Sequence, residues 1–215
     1  MEKIQFSTEP SQAVLIREDA RNIKSIPHQI VDLVIASPPY ANNYDYADAT
    51  RLEMTFWGEV NSWGDLHDAV RQFLIRSSSQ HVSKERLELS NLIAEPILAP
   101  IREDLTPICK ELEKIRLTKG GRKAYHTMIA AYFCDMGLVF DSLRRVTKPH
   151  CKICFIVGDS APYGVHVPVD KWLARLAISS GFNSWHFENI RPRNTKWKNR
   201  KHRVLLKEGI LWINS

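Results

Sequence analysis

An α/β domain is predicted for this chain of 215 residues, because strand-like and helical segments alternate along it. Residues 31–36 form a continuous apolar run that is typical of a strand buried on both faces. Residues 51–146 show mostly helical spacing of apolar side chains, and strand-like patterns return between residues 152 and 213. These three observations favour a layered domain in which helices cover a sheet.

The composition fits a soluble globular protein. Hydrophobic residues make up 44% of the chain and charged residues 25%, with a formal net charge of +6. These values exclude disordered, collagen-like and membrane-spanning proteins. No run approaches the roughly 18 apolar residues of a membrane helix, and the first residues lack a signal-peptide pattern. We therefore expect a cytoplasmic protein that does not bind a membrane.

The predicted elements follow one another in order. Residues 12–17 are expected to form a strand that ends at Glu18-Asp19-Ala20, and residues 31–36 a second strand that stops at two prolines. The later elements are a helix over residues 122–146, a strand over 152–157, a helix over 169–180 and antiparallel strands over 186–190 and 203–213.

The segment between residues 61 and 119 is long for a connection and is interpreted as an inserted helical subdomain. The catalytic unit would then comprise residues 1–60 and 120–215. The insertion is a candidate for partner docking or DNA recognition, and a purely structural role is an equal alternative. Its candidate cations are Arg71, Arg76, Lys84 and Arg86.

The four cysteines argue against a disulfide framework in a chain of this length. Cys151 and Cys154 have the spacing of a metal-binding or redox pair, but no second pair follows them. In a strand, residues three apart point to opposite faces, so a structural role is the favoured interpretation. We expect no metal site.

The tetrapeptide Ser37-Pro38-Pro39-Tyr40 follows the buried strand, where open α/β sheets bind ligands. Two prolines make a rigid loop whose carbonyl oxygens have no partners within the loop. The Ser37 hydroxyl adds an acceptor, and the Tyr40 ring offers a flat surface for stacking. These groups suit an aromatic ring that carries an exocyclic amine. A structural Pro-Pro turn is the alternative.

Positive charge is concentrated between residues 190 and 207, where no acidic residue occurs. Cations with an interleaved aromatic ring suit a phosphate backbone and an exposed base, although a solvated basic loop is the alternative. The residues assigned to DNA binding are Arg191, Arg193, Lys196, Trp197, Lys198, Arg200 and Lys201.

The run Asp32-Leu-Val-Ile-Ala-Ser-Pro-Pro-Tyr40 resembles motif IV of the amino-group DNA methyltransferases that use S-adenosylmethionine. Its serine form is most typical of the cytosine-N4 branch. The likeness continues in order over about two-thirds of the chain. The further similar segments are residues 42–48, 51–53 and 56–58, 132–136, 145–149, 158–160, 167–170 and 207–212.

The resemblance implies a Rossmann-like sheet and direct methyl transfer to a base flipped out of duplex DNA. The Ser37 hydroxyl and the Pro38 carbonyl would accept hydrogen bonds from the amine, Pro39 would keep the loop rigid and Tyr40 would stack on the base. Ser37 and Tyr40 would also adjoin the cofactor, and Asp19 resembles the acidic residue that meets its adenine. Roles for Asp45 and Asp48 stay open between contacts to the amine or cofactor and solvated loop acids, and Asp159 would either orient the Ser37 loop or form a turn.

The chain departs from the family because it has no Gly-x-Gly sequence for the cofactor turn, and two strands of the family's sheet are missing. We expect an incomplete sheet and a second subunit that carries the glycine-rich turn. A C-terminal part of a longer enzyme is the alternative, and numbering from Met1 favours a separate subunit. Two other functions stay open, a non-catalytic DNA-binding or specificity subunit and methylation of RNA.

Overall fold

A computed structural model of the protein describes residues 13–83, 87–121, 123–193 and 205–215. The strands are β1 (Val31–Ala36), β2 (Thr147–Gly158), β3 (Ser184–Arg193) and β4 (Leu206–Asn214). The helices are α1 (Tyr46–Ala49), α2 (Arg51–Phe56), α3 (Leu66–Ala69), α4 (Ser79–Ser83), α5 (Leu89–Ala94), α6 (Arg102–Arg116), α7 (Tyr125–Val146) and α8 (Val169–Ser179).

The four strands form one mixed sheet in the order β1-β2-β4-β3. Strand β1 runs parallel to β2, and β4 is antiparallel to both β2 and β3. The protein is therefore an α/β domain, as predicted. The register places Ala36 beside Phe155, so the chain leaves β1 next to the carboxyl end of β2.

Helix α7 is the centre of the hydrophobic core. Its buried residues pack with Phe155 of β2 and Trp172 of α8 in a single cluster. Phe133 contacts Trp172 edge to face, with ring centroids 5.1 Å apart. Helices α5 and α6 of the 61–119 segment also pack on α7 and contribute Leu92 and Leu105 to the same cluster. The domain boundaries at residues 60 and 120 stay a prediction.

Most predicted elements are confirmed, namely β1, α7, α8 and the two antiparallel strands. Strand β2 begins earlier than predicted, because Lys148 and Pro149 belong to it rather than to a preceding turn. The β1–β2 register shifts between Val31 and Leu33, opposite this part of β2. Such an irregularity accommodates a proline that cannot donate to the ladder.

The strand predicted over residues 12–17 is wrong for the described residues 13–17, which carry no strand assignment. Their apolar side chains are exposed, with Val14 at 79% and Leu15 at 98%. An apolar segment forms a strand only where a neighbouring strand completes its hydrogen bonds. This segment pairs with none of the four strands of the described sheet.

Cys151 and Cys154 both lie in β2, and their side chains follow the alternation of the strand. Cys151 is buried and Cys154 is half-buried. Within the described residues, no group of three or more histidine, cysteine or acidic side chains is placed to hold a metal ion. In that part of the chain, no helix has the length and apolar character needed to cross a bilayer.

Candidate active site

The Ser37–Tyr40 loop begins where β1 ends and turns back over the carboxyl end of β2. Ser37 is exposed, whereas both prolines and Tyr40 are half-buried. The turn that follows is closed by a 2.7 Å hydrogen bond from the Asn42 amide to the Tyr40 carbonyl. The buried Ser160 hydroxyl donates to the Ala41 carbonyl and thereby ties this turn to the segment after β2.

A cleft of about 420 Å³ opens beside the loop. Asp19, Ser37 and Pro39 all line it, so the structure brings together two of the predicted cofactor-binding residues, Asp19 and Ser37. The volume falls within the range of small-molecule sites. The other lining residues are Glu18, Ala20, Tyr46, Phe73, Leu74, Ile75 and Ser77.

The Asp19 carboxylate already has a cationic partner. The Arg21 guanidinium donates to both of its oxygens at 2.7–3.1 Å, and the Arg21 amide donates to Oδ1 at 2.9 Å. The hydrogen bonds from Arg21 lower the pKa of Asp19. Its cofactor role stays a prediction, and a ligand would have to share this carboxylate with Arg21.

Asp135 was missed as a site residue by sequence reasoning. It links Arg21 and Arg76, which adjoin cleft-lining residues in two separate segments of the chain. This carboxylate of α7 is 1% exposed. It accepts hydrogen bonds from the Arg76 amide at 2.9 Å and from the Arg76 guanidinium at 2.7 and 3.1 Å. Arg21 Nη1 lies 3.4 Å from the same side chain. The sequence signal for this buried ion pair was Asp135 itself, a single acidic residue within an otherwise apolar stretch of the predicted helix.

Asp45 joins the loop after Tyr40 to the segment that was predicted to be an insertion. Its Oδ2 accepts two hydrogen bonds from Arg71, at 2.8 and 3.0 Å, and its Oδ1 lies 3.5 Å from His81 Nε2. Burial raises the pKa of Asp45, but the bonds from Arg71 and the Asp48 amide outweigh this and leave the pKa below its ordinary value.

Arg71 and Arg76 therefore serve internal contacts of the fold. Arg71 is 5% exposed, and its guanidinium lies 4.8 Å from the centroid of the Trp63 ring. Of the candidate cations in this segment, Lys84 and Arg86 lie outside the described residues. Asp48 is exposed and forms an ion pair with Arg51 at 3.8 Å.

Tyr40 does not line the cleft, and its side chain lies near Arg193 of β3 and Glu208 of β4. The Arg193 guanidinium lies 4.9 Å from the centroid of its ring, and Arg193 Nη1 donates to the Asp159 carbonyl at 3.1 Å. Burial and the nearby Glu208 carboxylate raise the pKa of Tyr40. The face predicted to stack on a base thus carries a planar cation in this structure.

Gly158 lies between Tyr40 and Arg193, where a side chain would displace the flexible end of Arg193. A Cβ atom there would lie 2.6 Å from Arg193 Nη1 and 3.3 Å from the Tyr40 ring. Asp159, the next residue, pairs with His166 at 3.1 Å, and burial raises the pKa of its carboxyl. Its side chain therefore contacts His166, and its backbone carbonyl contacts Arg193 beside Tyr40.

Two of the predicted DNA-binding residues lie at the end of β3. Arg191 is largely exposed and pairs with Glu208 at 2.7 Å. Arg193 Nε lies 3.6 Å from the other oxygen of the same carboxylate. The remaining predicted residues, Lys196, Trp197, Lys198, Arg200 and Lys201, lie outside the described residues.

Comparisons with known proteins point to one class of enzyme. The Type II methyltransferase M.BsoBI of Geobacillus stearothermophilus is 29% identical over 99% of this chain and 44% of its own length. The Type II methyltransferase M.AvaI of Nostoc sp. (strain PCC 7120) is 31% identical over 71% of this chain and 31% of its own length. The chain is similar to these Type II methyltransferases. It spans less than half the length of these curated relatives.

Two further comparisons do not assign the chain to a family or a fold. No protein-family model matches the chain. Among solved structures, a candidate DNA modification methylase from Thermus thermophilus covers 92% of this chain and 52% of its own. Its sequence identity is 15% and its TM-score is 0.38, which is too low to assign a fold.

Proposed function

We propose that this chain is the base-binding half of a DNA methyltransferase that acts on an exocyclic amine, cytosine N4 in preference to adenine N6. The observation that carries the proposal is the Ser37-Pro38-Pro39-Tyr40 loop at the carboxyl end of a strand, beside a cleft of ligand size. The similarity to Type II methyltransferases supports the same class of reaction.

The chain's own residues would act by holding the base. The Ser37 hydroxyl and the Pro38 carbonyl accept hydrogen bonds from the amine and fix the direction of its lone pair. Tyr40 stacks on the ring, and the half-buried prolines restrict the loop to one geometry. Fixing the reacting groups in place accounts for the catalysis, because the reaction needs no covalent intermediate with the protein.

S-adenosylmethionine would supply the methyl group as an electrophile. The fit of this cofactor to the chain is incomplete, since the sequence has no Gly-x-Gly turn and the Asp19 carboxylate is bound by Arg21. We therefore assign the remaining cofactor contacts to a second polypeptide that carries the glycine-rich turn. The isolated chain should bind S-adenosylmethionine weakly or not at all, and tight binding in calorimetry would contradict this assignment.

The decisive experiment measures transfer of a labelled methyl group from S-adenosylmethionine to duplex DNA. It is run with the chain alone and with the product of the neighbouring reading frame. Activity in the mixture alone supports the proposal, and activity of the chain alone means that it contains a complete cofactor site. Nucleoside analysis of the product distinguishes cytosine N4 from adenine N6, and an RNA acceptor in parallel tests the RNA alternative.

A non-catalytic DNA-binding subunit is the second candidate, favoured by the concentration of positive charge between residues 190 and 207. The change Ser37→Ala separates the two functions. If the hydroxyl accepts a hydrogen bond from the amine, its loss should lower the methylation rate about 3- to 10-fold, since one such bond contributes about 0.5–1.5 kcal/mol. DNA affinity should stay unchanged in a binding assay. An unchanged methylation rate favours the non-catalytic subunit.

The basic segment should bind phosphates. Replacing Lys198, Arg200 and Lys201 with glutamine should reduce the slope of log affinity against log salt by up to about 2.7, at about 0.9 per phosphate contact. A matched triple change of the exposed lysines Lys110, Lys114 and Lys123 controls for net charge. Equal slopes in the two triple variants would exclude a phosphate-binding role for this segment.

A further inference from the structure

Among the described residues, one face of the sheet is left open and is largely apolar. Helices α7 and α8 pack against the face that carries Ile153 and Phe155. On the opposite face, the strand registers place Ile35 beside Cys154, Cys154 beside Trp212 and Ile156 beside Ile210, whereas Leu33 lies beside Lys152. We define the open face by Leu33, Ile35, Cys154, Ile156, Ile210 and Trp212.

The exposure of these side chains is greatest at β1. Leu33 is 51% exposed and Ile35 is 71% exposed, and Ile156 of β2 is 37% exposed. Parallel strands are normally covered on both faces. In β1 the alternate residues Val34 and Ala36 pack on the core, so only one of the two apolar faces of this strand is covered by described residues.

The outer edge of β1 is also unpaired within the described residues, because β1 stands at the end of the strand order. An apolar edge strand without covering groups is a template for pairing with another strand. The described residues before β1 also carry exposed apolar side chains, Val14 at 79% and Leu15 at 98%. In the described part of the chain, the open face reaches the unpaired β1 edge at Leu33 and Ile35, and the two together form one uncovered surface.

We infer that this surface docks a second polypeptide, which covers the open face with helices and extends the sheet at β1. Its identity rests on the function proposed above. It corresponds to the part of the Type II methyltransferases that this chain does not match, since the chain spans 44% of one relative and 31% of another. That part is also the natural source of the missing Gly-x-Gly turn.

Other occupants fit this surface less well. A second copy of the chain would bring together two molecules of net charge +6 and would still lack a Gly-x-Gly sequence. DNA requires cations, whereas the centre of the open face is apolar. Glu188 lies at its margin and accepts a 3.1 Å hydrogen bond from the Trp212 indole.

The test uses the full chain and, as the probe, the segment of the Geobacillus stearothermophilus relative that lies outside its alignment with this chain. Light scattering measures the mass of the mixture, and hydrogen exchange locates the protected amides. We expect a one-to-one complex in which exchange slows at least about tenfold over Val31–Ala36. The variant I35K should weaken this complex at least about tenfold.

Leu117→Lys is the matched control, because Leu117 is also an exposed aliphatic residue, at 67%, but lies at the end of α6. Equal effects of I35K and Leu117→Lys would overturn the inference, as would the absence of a complex or a homodimer protected at β1. The measurement needs neither cofactor nor DNA. A complex that forms without methyl transfer would therefore refute the proposed function and leave the docking surface intact.

Discussion

Replacing Tyr40 with alanine is expected to lower the rate of methyl transfer about 5- to 150-fold, because base–aromatic stacking contributes about 1–3 kcal/mol. The loop itself should keep its geometry, since the two prolines and the Ser160 bond to the Ala41 carbonyl do not involve the tyrosine ring. The measurement is the single-turnover rate on duplex DNA by the reconstituted complex, together with DNA affinity.

Tyr40→Phe is the control, because it keeps the ring and removes only the hydroxyl that lies near Glu208. It should retain most of the activity. Loss of activity to the same extent in both variants would show that the hydroxyl, rather than the ring, is the functional group. Arg193→Met removes the guanidinium from the ring face and tests whether that cation competes with the base for the same position.

Replacing Asp135 with asparagine is expected to destabilise the protein by about 3–5 kcal/mol, the usual effect of removing one partner from a buried ion pair. The carboxylate is 1% exposed and faces two guanidinium groups, those of Arg76 and Arg21. The free energy of unfolding from urea titration checks the prediction. At about 2–4 °C per kcal/mol, the Tm should fall by roughly 6–20 °C.

Asp141→Asn is the matched control, since Asp141 lies on the same helix but is exposed. It should change the free energy of unfolding by less than about 0.5 kcal/mol. If Asp135→Asn changed the free energy of unfolding equally little, the Asp135 carboxylate would not be what holds the Arg21 and Arg76 segments together. A further sign of that role would be a raised KM for the cofactor in the reconstituted complex at permissive temperature.

The sequence was sufficient to predict the elements whose signals are local. The two prolines at positions 38 and 39 stop β1, and helical spacing followed by Gly181 marks α8. The position of the Ser37 loop at the carboxyl end of β1 followed from the same signals. The early start of β2 was not predicted, because an irregular register lets the strand include Pro149.

The contacts that shape the cleft could not be predicted, because they join residues far apart in the chain. Asp135 and Arg76 are 59 positions apart, and Asp45 and Arg71 are 26 apart. Charged residues in a helical segment are usually solvated, so nothing local distinguishes Arg71 from an exposed arginine. The predicted strand over residues 12–17 was wrong because a strand also needs a neighbour, which no local pattern reveals.

The open face of the sheet has a consequence for gene dosage. If Leu33 and Ile35 are covered only when a second polypeptide is bound, the amount of active enzyme follows the product of two concentrations. Below the dissociation constant, halving the synthesis of both chains would lower the amount of complex roughly fourfold. A cell would then lose methylation steeply, rather than in proportion, as expression of the two genes falls.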